Sequence, residues 1–131
     1  LRAVQAEFSC GFCTDAQGAQ TIGRTFRESR YLLDTHTAVA CTVLDAYRSG
    51  TGDQTLTVVE STASPFKFCA SVLDALGVTE HAPGTGVLGQ LTAETGRPAP
   101  TPLASLAGKP VRFDQVTDRG DMRAVVTEFL R

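Results

Sequence analysis

The stretch from Thr55 to Phe68, TLTVVESTASPFKF, constrains the fold more strongly than any other part of the sequence. Residues 55–61 are rich in β-branched side chains, and the run is apolar on both faces, at Leu56, Val58 and Val59. A strand that is apolar on both faces is typical of a parallel sheet covered by helices. Ser64 and Pro65 then provide a strong helix start, with serine as the N-cap and proline in the first turn. Strand, tight loop and helix together predict half of a βαβ unit.

Helical patterns occupy much of the remaining sequence. Thr14 and Gln17 form a capping box, which predicts a helix to about Ser29. Asp34 is a suitable N-cap for a second helix with a broad apolar stripe. The patterns predict helices over 35–48, 65–76 and 87–95 and a final helix capped by Asp118, together with a second strand over 111–116. The chain is therefore predicted to have an α/β fold, with helices packed on a small, mostly parallel sheet.

Composition and charge limit the functions open to this chain. Its 131 residues suit one domain or one piece of a larger protein, and we treat residues 1–131 as a single piece. The net charge of −2 gives no general attraction to nucleic acid or to an acidic membrane, and no apolar run is long enough to cross a bilayer. We therefore expect a soluble, cytoplasmic protein with no nucleic-acid or membrane partner. Because the chain begins at Leu1 and its single methionine is Met122, we also expect a processed or cut product with functional residues upstream.

The cysteines raise two chemical interpretations. Cys10 and Cys13 form a C-x-x-C motif, which is typical of a redox pair or of half a structural zinc site. Zinc would need a second ligand pair, whereas Cys41 and Cys69 are far apart and the two histidines have no ligand spacing. A redox pair normally follows a strand and opens a helix, and LRAVQAEF is a poor strand. We predict no metal site and interpret the motif as a loop with reduced thiols, with a redox module as the alternative.

The end of the predicted strand, ESTASP, contains candidate binding groups. Ligands of open α/β sheets lie beyond the carboxyl ends of the strands, and the N–H groups at a helix start attract anions. Thr62 and Ser64 offer hydroxyls there, although Ser64 also caps the helix and Thr62 is able to bond its own loop backbone. Lys67 lies in the first helical turn, where the dipole opposes a positive charge by about 0.3–1 kcal/mol. Either solvent screens the charge of Lys67, or an anion bound near the helix start makes the position of this charge favourable.

A second group of polar residues, in LLDTHTAVA, lies where another helix begins. Capping explains Asp34, and His36 is either a hydrogen-bonding residue of the cap or a pocket residue. An Asp-His-Ser relay would need a fixed nucleophile, but the sequence contains no G-x-S-x-G turn. The glycine patterns of P-loops and dinucleotide-binding sites are absent from the sequence as well. These residues alone do not predict a catalytic site.

Taken together, the two groups resemble threonine synthase. That family carries a block like L-L-D-P-H-T-A-V, then a helix, then a strand that ends in S-T-A-x-P-x-K-F. Here YLLDTHTAVA and VVESTASPFKF occur in the same order with a similar gap, and GKPVRFDQV also looks like the family's C-terminus. The similarity extends over most of the chain. Thr35 departs from the family's proline, and Ser64 stands where many members have histidine.

The resemblance implies a pyridoxal-phosphate enzyme of the tryptophan-synthase-β type, so the chain would be a partial three-layer α/β/α fragment of a fold-type II enzyme. Threonine synthases are carbon–oxygen lyases that convert O-phospho-L-homoserine and water to L-threonine and phosphate. Family members hold the cofactor through a lysine and a glycine-rich phosphate cup towards the N-terminal side. Neither Lys67 nor Lys109 matches the family's aromatic-Lys-Asp motif. We therefore expect a C-terminal portion with no catalytic residue, no bound cofactor and no activity without the upstream part of the same polypeptide.

The resemblance also implies roles for residues of the predicted loop. Thr62 matches the position whose hydroxyl faces the pyridine nitrogen of the cofactor, and a neutral hydroxyl there moderates the ring as an electron sink. Lys67 and Ser64 would lie near the pocket for the phosphorylated substrate, where the charge of Lys67 has a partner. The alternative is a non-catalytic α/β binding or regulatory domain related to the enzyme.

Overall fold

The computed structural model describes residues 2–131, which form helices joined by irregular segments. Within this part of the chain the α-helices are α1 (Arg2–Glu7), α2 (Asp15–Ser29), α3 (Thr35–Thr51), α4 (Cys69–Ala75), α5 (Gly86–Thr95), α6 (Thr101–Ala104) and α7 (Met122–Phe129). Short 3₁₀ helices cover Pro65–Lys67, Ser105–Gly108 and Arg119–Asp121. The helices predicted over 14–29, 35–48 and 87–95 are therefore confirmed, with shifts of a few residues at their ends.

The predicted parallel sheet is wrong, because residues 2–131 contain no β-strand. The run predicted as a covered strand has no regular secondary structure and lies open, with Leu56 93% and Val58 85% exposed. The predicted second strand at 111–116 is also irregular, and Phe113 is 81% exposed. A strand requires hydrogen bonds to a neighbouring strand, and β-branched residues do not supply that neighbour. The described chain is all-helical, and neither the α/β fold nor the three-layer α/β/α fragment is present in it.

Helix α2 begins as the sequence predicts. The Thr14 hydroxyl accepts a hydrogen bond from the N–H of Gln17 at 3.3 Å, and the Gln17 side chain accepts one from the N–H of Thr14 at 2.8 Å. These reciprocal bonds satisfy two N–H groups that the start of a helix leaves without backbone partners. The helix ends at Arg30, whose φ of 58° is left-handed, and it buries Ile22 and Phe26 on one face.

Helix α3 starts at its predicted cap, Asp34, and extends beyond the predicted end at Arg48 as far as Thr51. Gly52 ends the helix with a φ of 74°, a left-handed conformation that glycine adopts at little steric cost. The N–H of Gly52 donates to the carbonyl oxygen of Arg48 at 2.8 Å. The extra turn brings the last residues of α3 beside the irregular segment that follows.

The helix predicted after the Ser-Pro pair forms in two parts. Ser64 caps the 3₁₀ turn Pro65–Lys67, since its hydroxyl accepts the N–H of Phe66 at 3.3 Å. Phe68 then has a φ of −132° and a ψ of 45°, which are not helical, and α4 begins only after it. Gly77 lies beyond the end of α4 with a φ of 89°, as expected for a residue that stops a helix.

The core lies where α2, α3, α4 and α5 pack together. Its most deeply buried apolar side chains, each at most 2% exposed, are those of Ile22, Ala38, Val72, Leu73 and Leu91. Helix α2 approaches α4 so closely that a Cβ built on Gly23 would lie 2.6 Å from the carbonyl oxygen of Ala75. Glycine is therefore required there, and this contact helps to fix the positions of the helices that carry the site.

The C-terminal residues contribute little to this core. Helix α7 forms near its predicted position, but its apolar stripe is open, with Met122, Val126 and Phe129 all more than half exposed. The predicted cap, Asp118, precedes a 3₁₀ turn and makes no side-chain cap bond to it. The candidate site described below lies on the N-terminal side of the chain, between α3 and α4.

Candidate functional site

The buried carboxylate of Asp34 is the centre of the candidate site. Asp34 precedes α3 and is only 1% exposed. Its Oδ1 accepts hydrogen bonds from the backbone N–H of His36 at 2.9 Å and of Thr37 at 3.2 Å. These bonds confirm the predicted capping role, because they satisfy two N–H groups of the first turn of α3.

The second carboxylate oxygen reaches a distant part of the chain. Asp34 Oδ2 accepts hydrogen bonds from the Thr37 hydroxyl and, at 3.3 Å, from the hydroxyl of Ser61. The two hydroxyl oxygens lie 3.1 Å apart. We call these three residues the Asp34 cluster. The cluster directly connects the two sequence motifs, LLDTHTAVA and ESTASP.

Hydrogen bonding keeps Asp34 ionised despite its burial. Burial by itself raises the pKa of the carboxyl group, but bonds from the Thr37 hydroxyl, the N–H groups of Thr37 and His36 and the Ser61 hydroxyl outweigh it and lower the pKa below its ordinary value. The carboxylate therefore carries a negative charge at neutral pH. Hydrogen bonds to an ionised acceptor are stronger than those between neutral groups, which favours a rigid cluster.

The segment between Gly52 and Ser61 runs back along α3. Arg48 Nη2 donates to the carbonyl oxygen of Thr55 at 3.0 Å and contacts the Thr57 hydroxyl at 3.3 Å. Near the same end of the helix, the Tyr47 hydroxyl donates to Asp53 at 3.1 Å. Residues 57–60 then line a groove of about 500 Å³ together with Ala40, Val43 and Leu44 of α3. This path returns the chain to the start of α3, where Ser61 meets Asp34.

A ring contact secures the other end of the loop. The rings of His36 and Phe68 have centroids 5.2 Å apart and are tilted by 54°. We call residues 61–68 the site loop. The first turn of α3 thus contacts the site loop at both ends, through the Asp34 cluster at residue 61 and through His36 at residue 68. The ring packing of His36 on Phe68 was not predicted, whereas its Nδ1 lies 3.4 Å from the Thr35 hydroxyl, which agrees with the predicted hydrogen bonding in the cap region.

The site loop brings the predicted site residues together. Thr62 and Lys67 are exposed, whereas Phe66 between them is 6% exposed and anchors the loop to the core. Ser64 is half-buried, and its predicted capping role is confirmed. Lys67 ends the 3₁₀ turn and does not lie in the first turn of α4, so its predicted conflict with the dipole of a long helix is wrong. The assignments of Thr62 to a cofactor, and of Lys67 and Ser64 to a substrate, stay predictions.

The sequence did not indicate the contact that organises this site. From the sequence, Ser61 is only the last residue of a predicted strand and Asp34 is only a helix cap. Ser61 and Asp34 are 27 residues apart, which no helical or strand periodicity relates. The sequence offered one hint of this contact. Both motifs occur in one chain, and each places polar side chains at the start of a predicted helix.

A separate cavity of about 540 Å³ lies beside the site loop. Phe68, Thr35 and Asp74 line it, together with Cys13 and other residues at the start of α2. Thr62, Ser64 and Lys67 are not among its lining residues. The cavity therefore adjoins the loop at its Phe68 end and does not contain the predicted cofactor or substrate groups.

The cysteines and acidic residues form no metal centre in the part of the chain that the structure describes. Cys10 is exposed, Cys13 is half-buried, and all four cysteines are free. Across residues 2–131 no group of three or more His, Cys, Asp or Glu side chains is arranged to hold a metal ion. Among the same residues, every helix is too short or too polar to cross a membrane. The predicted absence of a metal and the alternative of a redox module both stay predictions.

Comparison with known protein families gives a match over most of the chain. The family model described as "Threonine synthase, C-terminal" matches residues 37–127, which is more than half of the chain. The chain belongs to this family. The predicted resemblance to threonine synthase is thereby confirmed. The family match includes the whole site loop and begins at Thr37, so that Asp34 and His36 lie immediately before it.

Curated relatives agree with the family assignment. Threonine synthase-like 1 of Mus musculus is 36% identical over 78 residues, that of Macaca fascicularis is 34% identical over 77 residues, and that of Homo sapiens is 32% identical over 77 residues. Each match covers 59% of this chain but only 10% of the relative's length. Most of each relative therefore has no counterpart in these residues, and the activity of a whole protein is a matter for proposal.

Proposed function

We propose that this chain is the C-terminal part of a pyridoxal-phosphate-dependent threonine synthase, a carbon–oxygen lyase that converts O-phospho-L-homoserine and water to L-threonine and phosphate. The observation that carries the proposal is the Asp34 cluster, which joins two family-like motifs and holds one end of the site loop. The family match supports the assignment. The upstream part of the same polypeptide would supply the rest of the site, and a cytoplasmic location remains a prediction from the sequence.

The residues of the site loop fit one side of a pyridoxal-phosphate site. Thr62 directly follows the anchored Ser61, and its side chain is exposed, so its hydroxyl is accessible to the ring nitrogen of a cofactor. Neither Lys67 nor Lys109 lies in an aromatic-Lys-Asp motif, so the covalent attachment and the phosphate cup are assigned to the upstream part. Bound pyridoxal phosphate would act as the electron sink of the reaction.

The side chains of the loop have separate tasks in this proposal. The neutral Thr62 hydroxyl aligns the ring and leaves its nitrogen largely unprotonated. Lys67 supplies an ammonium group with three donors for the phosphate of the substrate. Ser64 accepts the N–H of Phe66 as a cap, and its own hydroxyl proton remains available to donate to the same phosphate.

Substitution of Thr62 in the full-length protein tests the proposal. Thr62→Val should retain the fold and still hold the cofactor, though less tightly, and it should lower turnover roughly three- to tenfold because one net hydrogen bond is lost. Thr62→Ser keeps a hydroxyl and should retain most of the turnover. Thr127→Val is a matched control, since the Thr127 hydroxyl bonds only its own helix, at the carbonyl oxygen of Arg123. Full turnover in Thr62→Val would remove the role of Thr62.

Lys67 and the isolated chain provide two further tests of the same function. Lys67→Ala should raise KM for the phosphorylated substrate more than it changes kcat, because the lysine binds the phosphate in the ground state as well as the transition state. The 131-residue chain alone should show no visible cofactor absorbance and no threonine formation. If the full-length protein also binds no pyridoxal phosphate, the chain is instead a non-catalytic relative of the enzyme.

A further inference from the structure

We propose that Asp34, acting through Ser61, is a positioning residue that fixes Thr62 against the cofactor. This inference rests on the proposed function, because it assumes that Thr62 contacts the pyridine ring. It goes beyond that function by assigning a task to a residue that lies outside the family match.

The two oxygens of Asp34 have different partners. Oδ1 accepts the backbone N–H groups of His36 and Thr37, which is all that capping of α3 requires. Oδ2 takes no part in those bonds and instead accepts the hydroxyls of Thr37 and Ser61. An N-cap that only served its helix would have no need of a half-buried contact to an exposed serine 27 residues away. The second oxygen therefore has a task on the loop side.

The position of the carboxylate does not depend on the loop. Asp34 is 1% exposed, and its neighbours Leu33 and Ala38 belong to the buried core. Its hydrogen bonds from two backbone N–H groups fix the carboxylate to the first turn of α3. A group held in this way provides a rigid reference point for the chain segment that bonds to it.

Ser61 transmits this position to Thr62 through the backbone. Consecutive Cα atoms are about 3.8 Å apart across a trans peptide bond, so a fixed Ser61 confines the next residue closely. Thr62 itself is exposed, and the loop is next anchored by the cap of Ser64 and the buried ring of Phe66. Loss of the Ser61 hydroxyl would free the loop on the side of Thr62 only. A ring contact that depends on alignment would weaken, while the remaining anchors would keep the fold.

A double-mutant cycle in the full-length protein tests this coupling. The variants are Ser61→Ala, Thr62→Val and their combination, and the readouts are the dissociation constant of pyridoxal phosphate and the absorbance spectrum of the bound cofactor. Each single variant should weaken binding roughly three- to tenfold. If Ser61 acts through Thr62, the double variant should match Thr62→Val within about twofold, since the second change removes an interaction that is already lost. Ser61→Thr, which keeps a hydroxyl, should restore binding.

Thr42→Val is the matched control for loss of a hydroxyl beside α3. Thr42 lies on the same helix, but its hydroxyl bonds Thr21 of α2 at 2.8 Å and is not part of the cluster. Combined with Thr62→Val, it should give an additive effect. Hydrogen exchange of the site loop in cofactor-free protein should rise in Ser61→Ala and stay unchanged in Thr42→Val.

Each outcome separates the two proposals. If Thr62→Val changes binding and spectrum but Ser61→Ala behaves like Thr42→Val, or if the cycle is additive, the positioning proposal is wrong and the role of Thr62 survives. If Thr62→Val changes neither, both the role of Thr62 and the positioning proposal are wrong. Asp34→Asn retains an Oδ1 acceptor for the cap and gives a second cycle with Thr62→Val, which decides the matter should Ser61→Ala fail to fold.

Discussion

Replacement of Asp34 with alanine should lower the free energy of unfolding by about 1.5–2.5 kcal/mol. Loss of an N-cap acceptor costs about 1 kcal/mol, within a range of about 0.5–2 kcal/mol. The Thr37 and Ser61 hydroxyls also lose their charged acceptor, and although Thr37 can then donate to the exposed Ser61, one hydrogen bond within the cluster is lost to water. A net hydrogen bond contributes about 0.5–1.5 kcal/mol, and the two losses together give the expected value.

Urea unfolding of the 131-residue chain, followed by far-ultraviolet circular dichroism, measures this loss. Asp45→Ala is the control, because Asp45 forms an exposed 2.6 Å ion pair with Arg24, and such surface pairs contribute about 0–1 kcal/mol. Asp34→Asn keeps a capping oxygen and should fall between the two. If Asp34→Ala destabilises the chain no more than Asp45→Ala does, the cluster is not a stabilising centre and the reasoning fails.

The same cluster predicts a dependence of stability on pH. The pKa of Asp34 is lowered in the folded chain, so its ionised form favours folding. This contribution is fully present above the unfolded value of about 3.9 and is lost as the pH falls through the lower folded pKa. The difference in unfolding free energy between the natural chain and Asp34→Asn should be constant near neutral pH and should shrink below about pH 4. A difference that stays constant throughout the acid range would contradict the assignment.

Substitutions at Gly23 and His36, with Gly18 as a comparison, test the packing that supports the site. Gly23→Ala should lower the free energy of unfolding by about 1–3 kcal/mol, because its Cβ would lie 2.6 Å from the Ala75 carbonyl oxygen. An unchanged or increased free energy of unfolding would mean that α2 and α4 are less closely packed. On the same helix, Gly18→Ala meets no atom within 4 Å and should stabilise the chain by up to about 1 kcal/mol through helix propensity. His36→Ala removes the ring contact with Phe68 and should speed hydrogen exchange at the C-terminal end of the site loop. His36→Phe keeps a ring and should leave this exchange unchanged. Equal exchange rates in the two variants would exclude a packing role for the His36 ring.

Local features of the fold could be predicted from the sequence because their causes are local. The caps at Thr14, Asp34 and Ser64 depend on groups two or three residues away, and the stop at Gly77 depends on one residue's own freedom. The sheet could not be predicted in this way, because a strand exists only where another strand bonds to it. Residues 55–61 have the right composition and no such neighbour within residues 2–131.

The candidate site was predicted in its parts but not in its assembly. The sequence indicated both motifs, and the structure places Thr62, Ser64 and Lys67 on one short loop, while their binding roles stay predictions. It did not indicate that Asp34 and Ser61 bond, because the partner of a buried carboxylate is set by tertiary packing and not by spacing along the chain. The fold class was wrong for the same reason, since it too depended on a long-range partner.

The exposed run at residues 55–59 makes the 131-residue chain prone to self-association. TLTVV contains no charge and no proline, and the side chains of Leu56 and Val58 are almost fully exposed. Short segments of this composition readily pair edge to edge with copies of themselves when chains collide. Asp53 and Glu60 flank the run and act as charged gatekeepers against that pairing. We therefore expect self-association through this run to limit the concentration of the chain in solution.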